Sequence, residues 1–215
     1  MKVLKVEHIS KKIRSAVILD DISFTLQSGK IYGFTGKNGS GKTMLFRAIS
    51  GLIRIDSGSI LWDNQVLGTD FDVLPSAGIV LEHADLYMDR TGYGNLKYLA
   101  SLKGMIGEDK IKSAISRVGL NPDDRRTYRK YSLGMKQRLR IAQAIMEEPD
   151  VLLLDEPTSG LDADGVELIR KIILEEKQRG ALILLASHVK EDMELLADEI
   201  YMVDSGRVHL GNNSQ

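Results

Sequence analysis

Eight consecutive residues, Gly36-Lys37-Asn38-Gly39-Ser40-Gly41-Lys42-Thr43, constrain this chain more than any other stretch. They satisfy G-x-x-x-x-G-K-[ST] at every fixed position; an apolar, β-prone run from Ile31 to Thr35 enters them and a helix-prone run from Met44 to Ser50 leaves them. Strand, loop and helix in that order form a phosphate cradle. The glycines let backbone N–H groups turn inward as an anion nest, the helix aims its positive N-terminus at the same point, and Lys42 adds a mobile cation for β- and γ-phosphates. Thr43 offers a hydroxyl to Mg²⁺. A glycine-rich turn of no further meaning is the competing reading, and the rest of the chain decides between the two.

With 215 residues the chain can bury one sizeable core, with room for an inserted lobe but not for two full domains. Charged residues make up 27% and cancel to a net of −1, so no global field favours nucleic acid as the main ligand, and none is expected as a partner. The absence of cysteine excludes thiol redox chemistry, a disulfide scaffold and a Cys-based zinc site. The most apolar runs, Val151 to Leu154 and Ala181 to Ala186, are strand-sized and far short of the ~20 residues that cross a bilayer. Met1 to Glu7 alternates apolar and polar residues as a strand does and lacks a secretory hydrophobic region, so a cytoplasmic location is expected.

Period-two patterning predicts short strands at Val3 to Val6, Val17 to Leu19, Ile22 to Leu26 and Ser59 to Trp62, forming a small antiparallel sheet. Buried strands are expected at Ile31 to Thr35, Gly78 to Leu81, Val151 to Leu154 and Ala181 to Ala186, and a closing hairpin turns around Asp204-Ser205-Gly206. Helical spacing appears at Asn95 to Lys103 and Glu108 to Val118, then in a helix N-capped by Ser132, then at about Ala163 to Arg179 and Glu191 to Leu196. Gly211 to Gln215 reads as a loose tail. Strands alternating with helices imply an α/β fold whose mostly parallel sheet carries ligands at the strands' carboxyl ends.

At those ends stand chemical groups. Asp155 and Glu156 close the strand Val151 to Leu154. Asp155 suits holding Mg²⁺, and the differently directed Glu156 suits polarising a water that attacks the γ-phosphate. Alone, an Asp-Glu pair at a strand end is more often a solvated turn; a phosphate loop upstream turns the balance. His188, after the strand Ala181 to Ala186, is weighed the same way: a lone histidine there is usually hydrogen-bonded in place, but this one should lie beside the other two groups.

Five motifs now stand in order: the phosphate loop, a helical insertion, Tyr131-Ser132-Leu133-Gly134-Met135, Leu154-Asp155-Glu156-Pro157-Thr158-Ser159-Gly160-Leu161-Asp162, and Ser187-His188. Together they resemble the ATP-binding subunit of an ABC transporter over nearly the whole chain. Glu82 before Tyr87, the run Thr91-Gly92-Tyr93-Gly94-Asn95-Leu96 and the Tyr-Ser-Leu-Gly-Met signature are similar to the export branch that includes bacitracin- and lantibiotic-resistance ATPases. The resemblance implies a P-loop NTPase core with a small antiparallel β subdomain, at about residues 1–82 and 146–215, and an inserted helical subdomain at about 83–145, in one nucleotide-binding domain. It implies ATP and Mg²⁺ as cofactors. Gly36, Lys37, Asn38, Gly39, Ser40, Gly41, Lys42 and Thr43 would cradle the nucleotide, with Thr43, Asp155 and Glu82 toward the metal and Glu156 and His188 catalytic. Two subunits, identical or related, would sandwich two ATPs head to tail, so that Ser132 and Gly134 reach the γ-phosphate held by the partner's loop and Asp162 lies across the interface. Integral membrane permease subunits would dock near Glu82 to Arg90, placing the chain on the inner face of the membrane. Tyr87 and Met88 are contact candidates against an even alternative that they are lobe packing. A soluble relative acting on ribosomes or DNA is the rival reading.

Three positions depart from the family's pattern. The aromatic that stacks on adenine would fall near Ile13, where no Tyr, Phe or Trp stands, which predicts poor discrimination between ATP and GTP. Glu82 replaces a usual Gln, which predicts an altered Mg²⁺ dependence. Leu133 and Met135 replace the usual Gly and Gln, and Leu133 is expected to make the signature loop less permissive than Gly would.

Overall fold

A computed structural model describes residues 1–81 and 85–211; Glu82, and all of the expected tail beyond Gly211, lie outside the described residues. Ten strands are present among the described residues: β1 (Val3–Ile13), β2 (Ala16–Gln27), β3 (Ile31–Thr35), β4 (Ser57–Trp62), β5 (Gln65–Val66), β6 (Ala77–Val80), β7 (Val151–Asp155), β8 (Leu182–Ala186), β9 (Glu199–Asp204) and β10 (Arg207–Leu210). Six α-helices accompany them: α1 (Lys42–Ser50), α2 (Gly92–Lys103), α3 (Glu108–Arg117), α4 (Leu133–Ile145), α5 (Ala163–Gln178) and α6 (Lys190–Leu196), with a 3₁₀ turn at Tyr128–Lys130.

The central sheet runs β10-β9-β3-β8-β7-β6, parallel throughout except for the β9–β10 hairpin. Every residue of β7 and β8 is buried, as expected where both faces of a parallel sheet are covered. The pleat sorts these runs between two cores. Leu152, Leu154, Ile183 and Leu185 pack among Leu139, Ile141, Ile169 and Ile173, which belong to α4 and α5. Val151, Leu153, Leu182 and Leu184 point the other way, into a core shared with Leu45, Phe46 and Ile49 of α1 and with Leu4, Val6 and Ile60 of the second sheet. Uninterrupted apolar strands and amphipathic helices are thus two sides of one packing arrangement.

The second sheet is antiparallel, in the order β2-β1-β4-β5. Its first two strands are longer than the patterning predicts, at 11 and 12 residues, because register shifts between Val6 and Ile9 and onward absorb the places where alternation breaks. His8 and Asp21 take φ of 50° and 51° at these bulges. The two-residue strand β5 carries too little sequence to announce itself; Asp63 and Asn64, both at positive φ, make the tight hairpin turn that creates it. Ser132 caps α4 as expected, accepting from Met135 N–H at 3.2 Å, and Thr91 caps α2 three residues ahead of the predicted start.

Candidate functional site

Three adjacent strands deliver three loops to one place. Phe34 of β3 pairs with Ala186 of β8, and Ala186 with Asp155 of β7. The residues that follow are the phosphate loop, Ser187-His188 and Glu156-Pro157. They open on a cleft of about 420 Å³ lined by Gly39 to Met44 together with Ile18, Asn38, Asp155, Glu156, Ser159 and His188. Asn38, Gly39, Ser40, Gly41, Lys42, Thr43, Asp155, Glu156 and His188 are therefore brought together as the sequence predicts. Gly36 and Lys37 are not part of that lining; their carbonyl oxygens accept from Lys42 Nζ.

The loop's shape comes from its glycines. Gly36 has a φ of 157° and lies so close to β9 that a Cβ would meet the Val203 carbonyl oxygen at 2.2 Å, which leaves glycine as the one residue that fits. Lys42 is folded back over the loop, its Nζ donating to the carbonyl oxygens of Gly36 at 2.7 Å and Lys37 at 3.2 Å. Ser40 Oγ is buried with no hydrogen-bond partner, a group an incoming acceptor or donor can satisfy. Gly206 N–H donates to Ser40 O at 3.0 Å, tying the loop to the closing hairpin.

Thr43 Oγ1 donates to Asp155 Oδ2 at 2.6 Å. A hydroxyl and a carboxylate side by side, next to a phosphate cradle, are the oxygen donors a small hard cation takes when substrate and water complete its shell. Among the described residues no cluster of three His, Cys, Asp or Glu forms a metal site by itself, so such a cation would depend on the phosphates.

Glu156 is held under strain. Its φ is 51°, in the left-handed region that costs a non-glycine residue about 1–2 kcal/mol. Its N–H donates to Ala186 O at 2.8 Å, and its own carbonyl accepts from Ser159 N–H at 3.2 Å and from Gln137 Nε2 at 3.0 Å. The strain swings the carboxylate off the strand axis toward His188, whose Nδ1 lies 2.8 Å from Glu156 Oε2. That oxygen has no aligned hydrogen bond despite the short contact, so the pair is close but not yet oriented.

A second, buried network fixes the loops behind the cleft. The Asp192 carboxylate on α6 is inaccessible; it accepts from Thr158 Oγ1 at 2.5 Å, Ser187 Oγ at 3.4 Å and Arg170 Nε at 2.7 Å. Glu191 and Asp192 together hold the Arg170 guanidinium above its ordinary pKa, chiefly through the hydrogen bond that Arg170 donates to Glu191. Sequence reading misses this carboxylate, because an Asp in a polar helix carries no mark of burial. It also misses Ile18, which lines the cleft, and Gln137, buried on α4.

Ser132 and Gly134 stand elsewhere. They open α4, whose N-terminus is exposed, and neither lines the cleft. Leu133 begins that helix with a φ outside the left-handed region; the backbone there has no need of glycine, so the leucine is accommodated without strain. Asp162 caps α5, accepting from Gly165 N–H at 3.0 Å, and its side chain remains exposed. Ile13 is 45% exposed and is absent from the cleft lining. Tyr87 is exposed and packs edge-on to Tyr98 under the Arg90 guanidinium, whereas Met88 is partly buried against the core. No described helix is long and apolar enough to cross a membrane.

Comparison with known proteins agrees with this geometry. The family described as ABC transporter matches residues 19–159. An uncharacterized ABC transporter ATP-binding protein of Bacillus subtilis, YybJ, is 45% identical over 205 residues, covering 95% of this chain and 94% of its own. The lantibiotic transport ATP-binding protein SrtF of Streptococcus pyogenes is 34% identical, with 96% and 89% covered. The bacitracin transport ATP-binding protein BcrA of Enterococcus faecalis is 34% identical, with 96% and 68% covered. A solved ATP-binding subunit of an ABC transporter superposes with a TM-score of 0.88 at 26% identity, covering 97% of this chain and 89% of that one. A dimeric bacterial ABC transporter cassette reaches 0.86 at 20% identity, which speaks to the fold.

Proposed function

The chain belongs to the ABC transporter family as an ATP-binding subunit with ATPase activity, and from that premise we propose that it hydrolyses Mg-ATP in a head-to-tail dimer to drive export through separate permease subunits. One observation carries the reading. Lys42, Thr43, Asp155, Glu156 and His188 line a single cleft, while the signature residues Ser132 and Gly134 present an exposed helix N-terminus outside its lining. A helix start seeks an anion, and the γ-phosphate in a second subunit's cleft is the anion that completes both halves.

In that assembly Lys42 leaves its carbonyl partners for the β- and γ-phosphates, and the loop N–H groups and Ser40 hold the remaining phosphate oxygens. Thr43 and Asp155 would hold Mg²⁺, which neutralises developing phosphate charge when bound. Glu156 accepts the proton of the attacking water, and His188, at 2.8 Å, steadies its carboxylate and reaches toward the γ-phosphate. Loss of the shared γ-phosphate removes the charge that Ser132 and Gly134 grip, and the dimer reopens. Residues 83–145 act as the subdomain that moves, with exposed Tyr87 toward a membrane-embedded partner, which keeps the chain at the cytoplasmic face of the membrane. The export direction rests on the resemblance of the motifs to the export branch; the relatives named for lantibiotic and bacitracin transport support the transport role.

The test is a Glu156→Gln variant with ATP, examined by size exclusion with light scattering, followed by affinity capture of that trapped form from detergent-solubilised membranes. A stable dimer that brings down a multi-spanning protein in stoichiometric amount supports the reading. A chain that stays monomeric with bound ATP, or that recovers soluble ribosomal or DNA-associated proteins instead, overturns it.

A further inference from the structure

Gln137, 3% exposed on the second turn of α4, ties that helix to the catalytic loop. Its Nε2 donates to the carbonyl oxygens of both Glu156, at 3.0 Å, and Pro157, at 2.8 Å. Its Oε1 accepts from the Arg140 guanidinium. Carbonyls need donors and a guanidinium needs an acceptor, so the amide can sit one way only.

Three further contacts join the same two segments. Leu133 packs on Gly160 so tightly that a Cβ there would lie 2.7 Å from Leu133 Cδ2. Gly134 faces the Gly160 carbonyl oxygen, 3.4 Å from where its own Cβ would be. Arg138 Nη2 donates to Asp162 Oδ1 at 2.9 Å. The start of α4 and residues 156–162 therefore move as one unit.

In the proposed dimer these two segments serve different ATP molecules. The N-terminus of α4 meets the γ-phosphate held by the second subunit, whereas Glu156 acts on the γ-phosphate held by its own. We infer that Gln137 is a positioning residue that couples the two ATP sites, an inference that rests on the head-to-tail reading. When α4 is drawn to the partner's phosphate, Gln137 carries the Glu156 and Pro157 carbonyls with it. Glu156, already at a φ of 51°, is poised to respond, because a small rotation of a strained peptide swings its side chain through a large arc. Occupation of one site thereby sets the carboxylate in the other.

The experiment measures ATPase rate against ATP concentration for the full-length purified chain, its Gln137→Met variant, which keeps the side chain's length but has no amide, and its Arg140→Met variant. The parent is expected to show a Hill coefficient near 2, the ceiling for two coupled sites. Gln137→Met should lower it toward 1 and reduce kcat about tenfold, with KM changed less than about twofold. Arg140→Met leaves both amide donors in place and should move in the same direction by less. A purely structural role lowers the melting temperature and the active fraction but leaves the Hill coefficient unchanged. A parent with a Hill coefficient of 1, or a folded Gln137→Met with the parental Hill coefficient and kcat, overturns the inference. If Gln137→Met fails to fold, an Arg140→Met protein with parental cooperativity overturns it equally. Adding Glu156→Gln to each separates the causes: no ATP-dependent dimer in the parent background removes the head-to-tail reading itself, while dimers with unaltered cooperativity remove the role of Gln137 alone.

Discussion

Replacing Arg170 by Leu should be among the most damaging single changes outside the cleft. Asp192 is fully buried and its carboxylate accepts from Arg170 Nε at 2.7 Å, with Arg170 Nη2 at 2.6 Å from the same oxygen. Without the guanidinium, only the hydroxyls of Thr158 and Ser187 face that carboxylate. Breaking a buried ion pair from one side costs about 3–5 kcal/mol, because a charge is left uncompensated in the interior. For a chain of this size each kcal/mol moves the melting temperature by about 2–4 °C, so a drop on the order of 10 °C is expected by differential scanning fluorimetry. The double variant Arg170→Leu/Asp192→Asn removes both charges, keeps an acceptor for Thr158, and should recover at least half of the loss. Thr158 is two residues beyond Glu156, and Ser187 precedes His188. At a temperature where the single variant stays folded, its kcat should therefore fall more than its KM changes. A stability loss under about 1 kcal/mol in urea titrations, or a double variant no better than the single, would refute the claim that this pair holds the catalytic loops.

Lys42→Met should weaken ATP binding by roughly 10- to 100-fold in equilibrium titration, the worth of a charge-assisted hydrogen bond of about 1.5–3 kcal/mol; binding within twofold of the parent would contradict the cradle. GTP should support turnover within about tenfold of ATP, a gap of about 1.4 kcal/mol, because the apolar side chains lining the cleft, Ile18 and Met44, carry no strong donor or acceptor to read a purine edge; competition kinetics showing a much larger ATP preference would refute it. The Asp124 carboxyl is held below the usual carboxylate range, first by the side-chain hydrogen bond from Arg126 and then by the Arg126 backbone N–H. A depressed carboxylate stabilises the fold above its unfolded pKa of about 3.9 and loses that contribution as pH falls through the lower, folded value. Arg126→Ala should accordingly reduce stability at neutral pH and converge with the parent in acid denaturation curves once the pH falls below the depressed folded-state pKa of Asp124.

The central layer of this fold was legible because its strands are short, apolar and followed by polar motif residues: the strands expected at Ile31 to Thr35, Val151 to Leu154 and Ala181 to Ala186 are found at Ile31–Thr35, Val151–Asp155 and Leu182–Ala186. The bulged hairpin was less legible. Two positions at positive φ, His8 and Asp21, break the alternation that period-two reading relies on, although the strands continue through them. At the site, the motif residues met as expected because each ends a strand of known neighbours. The supporting groups were invisible for a different reason. Gln137, Asp192 and Arg170 are polar residues on helices, where sequence suggests solvent, and only the packing of α4, α5 and α6 against the loops shows that Gln137 and Asp192 are buried and that Arg170 is bonded to Asp192. Leu133, a departure from the family pattern, occupies an ordinary helix start that any residue can adopt.

The bonds within the cleft also bear on what a second subunit would add in the proposed dimer. Lys42 Nζ is already satisfied by two carbonyl oxygens and Thr43 Oγ1 by Asp155. Binding a phosphate and a cation exchanges these bonds for others of the same kind, and an exchange yields far less than a gross hydrogen-bond energy, about 1 kcal/mol for each. Glu156 Oε2, close to His188 without an aligned hydrogen bond, likewise gains its catalytic orientation only from an additional constraint. Phosphate binding at the unpartnered Ser40 Oγ displaces no bond either, but the N-terminus of α4 in a second copy is the component of the proposed assembly that only the closed dimer supplies. Its interaction with the γ-phosphate is therefore the term that differs most between the open and closed states, and the term that hydrolysis removes. A substitution that weakens this contact, Ser132→Ala with Gly134→Ala, should leave ATP binding to the monomer within about twofold while abolishing the ATP-dependent dimer of the Glu156→Gln form. Loss of monomer binding in that variant would place the signature inside its own cleft and contradict the geometry described above.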